Sequence, residues 1–510
     1  MLDQTKKSEF DKVLTSKDIL VIAFGAMIGW GWVISTGDWI HRGGVIGAAL
    51  GFVIGGIMIF FVGLTYAELT AAMPQCGGEH VFSYKAMGST GSFICTWGII
   101  LGYVGVVCFE ACAFPTIISY IFPGFLKGYL YTVAGFDIYA SWLIVAMVTA
   151  ALMTYINILG AKTAAVVQTV LTSIIFGVGA VLILTASVRG DIGNLMPQMF
   201  AGKGSDSTFS HVMHVAVMTP FFFIGFDVIP QAAEEIKGSL KKIGKILIMS
   251  IVMAVLFYAL IIIAVGYLLS PSEVVSSMQG SGLVTADAMA KAYGIKAMAD
   301  VVIIGGLCGI VTSWNSFMIG GSRAMYSMAD SNMIPKFFAK LHPKYKTPIN
   351  ALLMIGVMSM LAPLAGRQML VWICDAGNLG CCLAYCMVSI SFMILRKKAP
   401  NMPRPYKVKH YKFVGITAAL LSGGMVSMYL LPGSGSTLVV QERLMAGGWA
   451  LLGIVFYIIN KKRYGEEFGK HIDVAVEYSE EDIAAMAPTE LGMVAAVNIN
   501  KNGMGTSVSS

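Results

Sequence analysis

The stretch GAMIGWGWVISTG, residues 25–37, decides how the rest of the chain is read. It lies within an apolar run over 18–39, yet it carries Gly25, Gly29, Gly31 and Gly37. Glycine inside a helix costs about 1 kcal/mol against alanine. The Gly25/Gly29 pair has the GxxxG spacing used for close helix packing. Gly29 and Gly31, two apart, do not share a helix face, so packing explains both less well. They fit a backbone break at membrane depth, which is tolerated where freed N–H and C=O groups line a cavity. A second apolar run, TPFFFIGFDVIPQAAEE (219–235), is interrupted in the same way by Pro220, Gly225 and Pro230, and it carries Asp227. An intramembrane carboxylate is expensive without a partner or water, so Asp227 is either a functional group or one bonded to a neighbouring helix. Two interrupted spans at equivalent places in two blocks of five are the pattern of an inverted-repeat solute carrier with a site at the membrane midplane. The broken ends offer N–H groups to a carboxylate and carbonyls to an amine or cation.

The composition agrees with a membrane setting. The chain of 510 residues is 56% hydrophobic and 12% charged, against about 25% charged for soluble domains. Crossing the bilayer takes about 20 apolar residues. Twelve candidate spans result: 18–39, 45–66, 91–121, 141–158, 164–186, 212–232, 246–268, 298–325, 349–364, 369–395, 414–431 and 444–459. With the N-terminus inside and the spans alternating, 27 of the 35 Lys and Arg residues fall on the inner side, as the positive-inside rule requires. Both termini are therefore expected in the cytoplasm. The domain reading is a cytoplasmic N-terminus (1–17), a ten-helix core (18–395), a basic inner loop (396–413), two peripheral helices (414–459) and a largely disordered tail (460–510). The core itself divides into repeats over about 18–186 and 212–395.

The remaining features exclude other classes. The net charge of +7 is spread over short loops, so a nucleic-acid partner is not expected. The inner loop with Lys336, Lys340, Lys344 and Lys346 fits an anionic lipid surface better than RNA. The nine cysteines form no ligand-like CxxC pair, and Cys381, Cys382 and Cys386 read as small hydrophobes. There is no GxxxxGK[ST] phosphate loop and no HExxH metal motif. Neither an ATP-driven pump within this chain nor a membrane enzyme is supported. A channel or a non-transporting sensor on the same scaffold is the competing reading, though rings of charge or carbonyl filters are not seen.

Several stretches resemble the amino acid–polyamine–organocation superfamily of permeases, in the order that family has them. GAMIGWGWVIS resembles its first-span glycine motif, and YAELTAAMPQCGGEHVFSY (66–84) the end of its second span and the following loop. INILGAKTAAVVQTVLT (156–172) is similar to its link between spans four and five, and FFFIGFDVIPQAAEEIKGS (221–239) to its sixth span. SRAMYSMADSNMIPKFFAKLHPKYKTP (322–348) and LRKKAPNMPRPYKV (395–408) resemble its loops after spans eight and ten.

The resemblance implies an all-α integral membrane fold of the LeuT type: a 5+5 inverted repeat plus two peripheral helices. It implies a secondary active transporter of amino acids or related organic amines, including an amine or polyamine exchanger. Gly29, Trp30 and Gly31 would hold a carboxylate through their N–H groups, and Met27, Phe221 and Ile224 would offer carbonyls to an amine. Ile28, Phe222 and Gly225 complete this substrate-binding set. Phe221 would also stand as an aromatic gate, Phe317 would close the pocket floor, and Asp227 would act in gating or coupling.

Two departures stand out. Trp30 occupies a position usually Ser or Thr, which makes the pocket smaller unless the ring points away. Ile175, seven residues after Gln168, replaces a lysine found in many proton-coupled relatives. No cofactor is expected, and an ion gradient or substrate exchange would drive the cycle. Thr312, Ser313 and Ser316 are weak sodium candidates, since helical hydroxyls more often bond their own backbone.

Glu110 lies deep in the third span, with Tyr103 two turns earlier on the same face, so the pair is expected to line the cavity. A hydrogen bond to a neighbouring span is the alternative for Glu110. Asp375 and Asn378 fit an outer vestibule or a solvated interface. Asn157 reads as structural, and His211 and His214 as interfacial. The expected partners are a small-molecule substrate and the lipid bilayer, in the plasma membrane of a prokaryote.

Overall fold

The computed structural model describes residues 7–133, 136–201, 208–432, 437–471 and 473–491. The first expected span is not one helix. It divides into α1 (Ser16–Met27), α2 (Gly31–Ile34) and α3 (Thr36–Gly43). Thr15 caps α1 in a reciprocal box with Asp18, which satisfies otherwise orphaned N–H groups. Next come α4 (Val45–Ala72), α5 (Glu79–Ile121), a small antiparallel hairpin of β1 (Tyr129–Val133) and β2 (Phe136–Tyr139), α6 (Ala140–Ile158), α7 (Ala161–Arg189) and the single turn α8 (Ile192–Leu195). The expected sixth span is α9 (Thr208–Met218), a 3-10 turn over Thr219–Phe223, an irregular link and α10 (Val228–Gln231).

The second half continues with α11 (Leu240–Leu268), the short α12 (Pro271–Gln279) and α13 (Val284–Tyr293), and α14 (Ala297–Asp330). The chain then forms α15 (Ile349–Leu361), α16 (Gly366–Lys398), α17 (Tyr411–Leu430), α18 (Val440–Tyr464) and α19 (Glu480–Ala485). Among the described residues, ten helical stretches are long and apolar enough to cross a membrane, and Ile349–Ala365 is apolar but shorter. The broken first span falls outside that length.

Glycine lets the long helices approach closely. A Cβ at Gly98 would lie 3.1 Å from the Gly380 carbonyl oxygen, and one at Gly377 would lie 3.1 Å from the Gly102 Cα. In lipid, such backbone-to-backbone contact replaces the hydrophobic drive available in water. The outer faces remain apolar, with Leu444, Leu451, Ile454 and Ile458 of α18 all exposed.

Three segments take a definite form. The third span, read from 91, lies beyond a kink at Gly88 that divides α5 into two helices. Helix α5 reaches back to Glu79, bent where Gly88 takes a φ of 76°, a value that L side chains rarely adopt. In the basic loop 396–413, Arg396 and Arg404 are drawn in to Glu68 at 2.6 and 3.1 Å.

The tail is docked over its described part. Asp482 is buried and accepts from Ser239 Oγ at 2.8 Å, Leu240 N at 3.2 Å and Lys241 N at 2.9 Å, capping α11. Asp473 pairs with Lys85 at 2.5 Å, and Glu490 pairs with Lys407 at 2.8 Å. Residues 492–510 lie outside the described part.

Candidate functional site

The two helix breaks meet. A Cβ on Gly225, whose φ is 137°, would lie 2.6 Å from the Ala26 Cβ and 3.0 Å from the Met27 nitrogen, so only glycine lets the backbones cross there. On the far side, a Cβ at Gly309 of α14 would lie 2.5 Å from the Gly29 carbonyl oxygen. Helix α1 ends at Met27 and α2 starts at Gly31. The N–H groups of Gly29, Trp30 and Gly31 donate to no backbone carbonyl.

Beside the breaks lies a cavity of about 140 Å³. Met27, Gly29, Trp30, Gly31, Glu110, Phe221, Phe222, Ile224 and Phe317 all line it, as does Ser313. Ile28 and Gly225 are part of the crossing but not of the wall. An aromatic cluster adjoins it, with Phe222 4.8 Å from Trp39 and 6.0 Å from Tyr258 between ring centroids.

The Trp30 ring does not fill the space. Its six-membered edge sits against Gly306 of α14, where any Cβ would overlap Cζ3 and Cε3. The bulk that replaces the expected hydroxyl is thus received by a notch in the facing helix. Glu110 is the cavity's carboxylate. A Cβ on Gly29 would stand 3.5 Å from its Oε1, and its Oε2 is buried without a hydrogen-bond partner. Ser313 of α14 stands close enough to bond this carboxylate, as the alternative of a tie to a neighbouring span requires, and Oε2 is the oxygen left over.

Tyr103 is not on the wall. Seven residues are two turns, about 10 Å along a helix axis, so it lies a layer away from Glu110. There its hydroxyl donates to Asp227 Oδ2 at 2.6 Å and its ring packs against Phe317 at 5.6 Å. Asp227 also accepts from Tyr385 Oη at 3.1 Å and from the Gly225 N–H at 2.8 Å. Among the described residues, this buried carboxylate is met by three donors and no cation.

The Met27 carbonyl accepts from Tyr258 Oη at 2.8 Å, which leaves its second lone pair for another donor. Of the sodium candidates, Thr312 donates to the Gly309 carbonyl of its own helix at 2.9 Å. Ser316 donates to the Ile22 carbonyl at 3.0 Å and accepts from Gln168 Nε2 at 3.0 Å. Gln168 Oε1 in turn accepts from Asn315, whose Oδ1 accepts from Asn157, each at 2.9 Å. This amide chain ties α6, α7, α14 and α1 together, and Ile175 is buried on the same helix as Gln168. Asn378 contacts Asp375 at 3.5 Å, and a His211 ring nitrogen meets the Arg42 carbonyl at 2.8 Å.

Tyr258, Val106, Phe109 and Cys374 also line the cavity and escaped the sequence reading. Val106 stands four residues before Glu110, so helical spacing from that glutamate would have found it. Tyr258 sits in a uniformly apolar run that carries no such mark.

The branched-chain amino acid permease BcaP of Bacillus subtilis (strain 168) is 27% identical over 467 residues, covering 88% of this chain and 93% of its own. The aspartate-proton symporter of the same organism is 24% identical over 420 residues, 81% of this chain and 78% of its own. The human cationic amino acid transporter 4 is 24% identical over 427 residues, 79% of this chain and 63% of its own. A sequence profile of the amino acid permease family matches residues 18–462, from the first broken span to the last long helix, and the chain belongs to that family.

Proposed function

We propose that the protein is a secondary active transporter of an amino acid or related organic amine, working by alternating access in the cell membrane of a prokaryote. One observation carries this reading: a cavity between two broken spans has unpaired N–H groups on one wall and a lone carboxylate, Glu110, on another. A zwitterion matches that arrangement. Its carboxylate takes the N–H groups of Gly29, Trp30 and Gly31, where helix-start dipoles favour negative charge. Its ammonium faces Glu110, which as an anion is acceptor-only and needs a donor. The rest of the wall, including Phe109, Phe221, Phe222 and Phe317, suits an apolar side chain.

In the cycle, the half-spans on either side of each break tilt against the rest of the core. The core comprises two five-span repeats, with α17 and α18 as peripheral helices. The aromatic cluster at Trp39, Phe222 and Tyr258 opens towards one face, and the layer at Asp227 opens towards the face that carries both termini. Placing those termini in the cytoplasm follows from the Lys and Arg distribution.

Uptake of pooled radiolabelled amino acids and polyamines into proteoliposomes tests the reading. The runs use empty vesicles, preloaded vesicles, and inward proton or sodium gradients. Saturable uptake or exchange of at least one pool is expected. Folded protein that moves no pool under any of these conditions would overturn it.

A further inference from the structure

A second cavity, of about 420 Å³, shares no residue with the one at the helix breaks. It is a groove where α18 stands off from α5 and α16. Phe93, Trp97 and Leu101 of α5, Leu379 and Leu383 of α16, and Ala450 of α18 form its walls. Trp97 and Trp449 bridge the gap: their rings stack at 4.3 Å, and each indole N–H donates to the other residue's carbonyl, at 2.8 and 2.9 Å. The groove opens sideways, because Ile94 and Ile454 on its rim are both exposed. In an integral membrane protein that side is hydrocarbon.

The dimensions select what fills it. From Thr90 to Leu101 the groove follows α5 for about 16 Å, at a rise of about 1.5 Å per residue. This is one leaflet's share of a hydrocarbon core about 30 Å thick. A volume of about 420 Å³ over that length gives a mean cross-section of about 26 Å². A helix about 10 Å across occupies about 80 Å², so a helix of a second copy does not enter. A single hydrocarbon chain does. Left empty, the groove would forfeit dispersion contacts along all three walls.

One end of the groove is polar, and it lies towards the face that carries the termini, since α18 runs from there into the tail. Thr90 Oγ1 and Tyr457 Oη stand 2.8 Å apart, and Lys461 Nζ donates to Tyr457 Oη at 3.0 Å. The Lys461 ammonium also lies over the Tyr457 ring, 5.0 Å from its centroid. It is thus held at the groove's end with two further N–H groups to give. Lys462 and Arg463 follow it in the last turn of α18, and all three are exposed. The acids next in sequence, Glu466 and Glu467, come after the helix, and Glu467 pairs with Lys470 at 3.0 Å.

An apolar slot one leaflet deep, ending in a cation and two hydroxyls, has the two halves of a lipid site. We propose that this groove binds an anionic phospholipid, with one acyl chain along α5 and the phosphate against Lys461, Thr90 and Tyr457. Each Lys or Arg near the surface favours an anionic lipid by about fivefold. A zwitterionic headgroup would bring its own ammonium against Lys462 and Arg463. The bound chain lies behind the substrate cavity, because α5 and α16 also carry Glu110 and Cys374 of that wall.

Lipid binding is measured on the delipidated full chain in detergent, independently of transport. The protein is titrated with phosphatidylglycerol and with phosphatidylethanolamine carrying the same chains, and bound lipid is counted by native mass spectrometry. One phosphatidylglycerol should bind about tenfold more tightly than phosphatidylethanolamine and raise the unfolding midpoint. Lys461→Gln should weaken phosphatidylglycerol about fivefold and leave phosphatidylethanolamine unchanged. Ala450→Phe, at an exposed position on the wall, should fill the groove and weaken both lipids alike. Three results would overturn the proposal. Equal affinity for the two lipids would remove the headgroup site. Phosphatidylglycerol binding untouched by both variants would be an annular lipid only. A delipidated dimer that Ala450→Phe splits would seat a second copy on this face instead.

Discussion

The notch at Gly306 makes residue 30 and residue 306 a single packing unit, and a double-mutant cycle measures it. A Cβ at 306 would overlap the Trp30 ring and lie 2.8 Å from Val33 Cγ2, against about 3.5–4.0 Å for comfortable carbon contacts. Overpacking of this sort costs about 1–3 kcal/mol. The ring cannot yield towards the cavity without entering the 140 Å³ it borders, so Gly306→Ala should weaken substrate binding as well as lower thermal stability. In a Trp30→Ser background the overlap disappears and only the Val33 contact remains. Gly306→Ala should then be milder by about 1–2 kcal/mol, a coupling typical of touching residues. That corresponds to roughly a five- to thirtyfold difference in binding constant between the two backgrounds. The assay is concentration-dependent uptake for the four proteins, paired with unfolding midpoints in detergent. Equal damage from Gly306→Ala in both backgrounds would refute the notch and return the Trp30 ring to the cavity.

Two further predictions concern the break and the tail. Gly31→Leu places a Cβ 2.6 Å from the Phe222 Cε1, the side chain of a ring that can turn, so the protein should still fold and reach the membrane while uptake is lost; full uptake would remove Gly31 from the site. Asp482 is pushed up by burial, but hydrogen bonds from Lys241 N–H, Ser479 and Ser239 outweigh this and leave it below the ordinary aspartate value. Its stabilising contribution is therefore fully present above the ordinary value near 3.9 and is lost as pH falls through the lower folded value. The hydrogen-exchange rate over 473–491, taken relative to the intrinsic unprotected rate at each pH, should be flat at neutral pH and rise only in acid. Asp482→Ala should raise it at neutral pH by roughly fivefold, for a cap worth about 1 kcal/mol; an unchanged rate would mean that the tail is held elsewhere.

The breaks at 28–30 and 224–227 were legible because glycine and proline in apolar runs conflict with an uninterrupted helix, and that conflict is local. Glu110 was visible for the same reason, as a charge among apolar neighbours. What escaped is what depends on distance in the chain. Tyr103 meets Asp227 across 124 residues, and no periodicity announces that bond. Gly306 reads as one more small residue until Trp30 is placed against it. Glu79 was hidden by its company, since Pro74, Gln75, Gly77, Gly78 and His80 make its segment read as a polar loop. The structure instead buries it at the start of a long helix. The tail misled in the opposite direction: its acidic composition suits solvent, but the carboxylates of its described part are spent on a helix start and on lysines of the face that carries the termini.

The docking of that tail also bears on how the molecule is made. Asp482 closes the start of α11, a helix that precedes it by more than two hundred residues, and Asp473 reaches back to Lys85. A ribosome delivers these carboxylates only after every span has been synthesised. Until then the start of α11 lacks its cap and the loops around it are untied. The seal on this face thus arrives after the spans it closes, and a chain stalled before residue 473 would leave them without these ties.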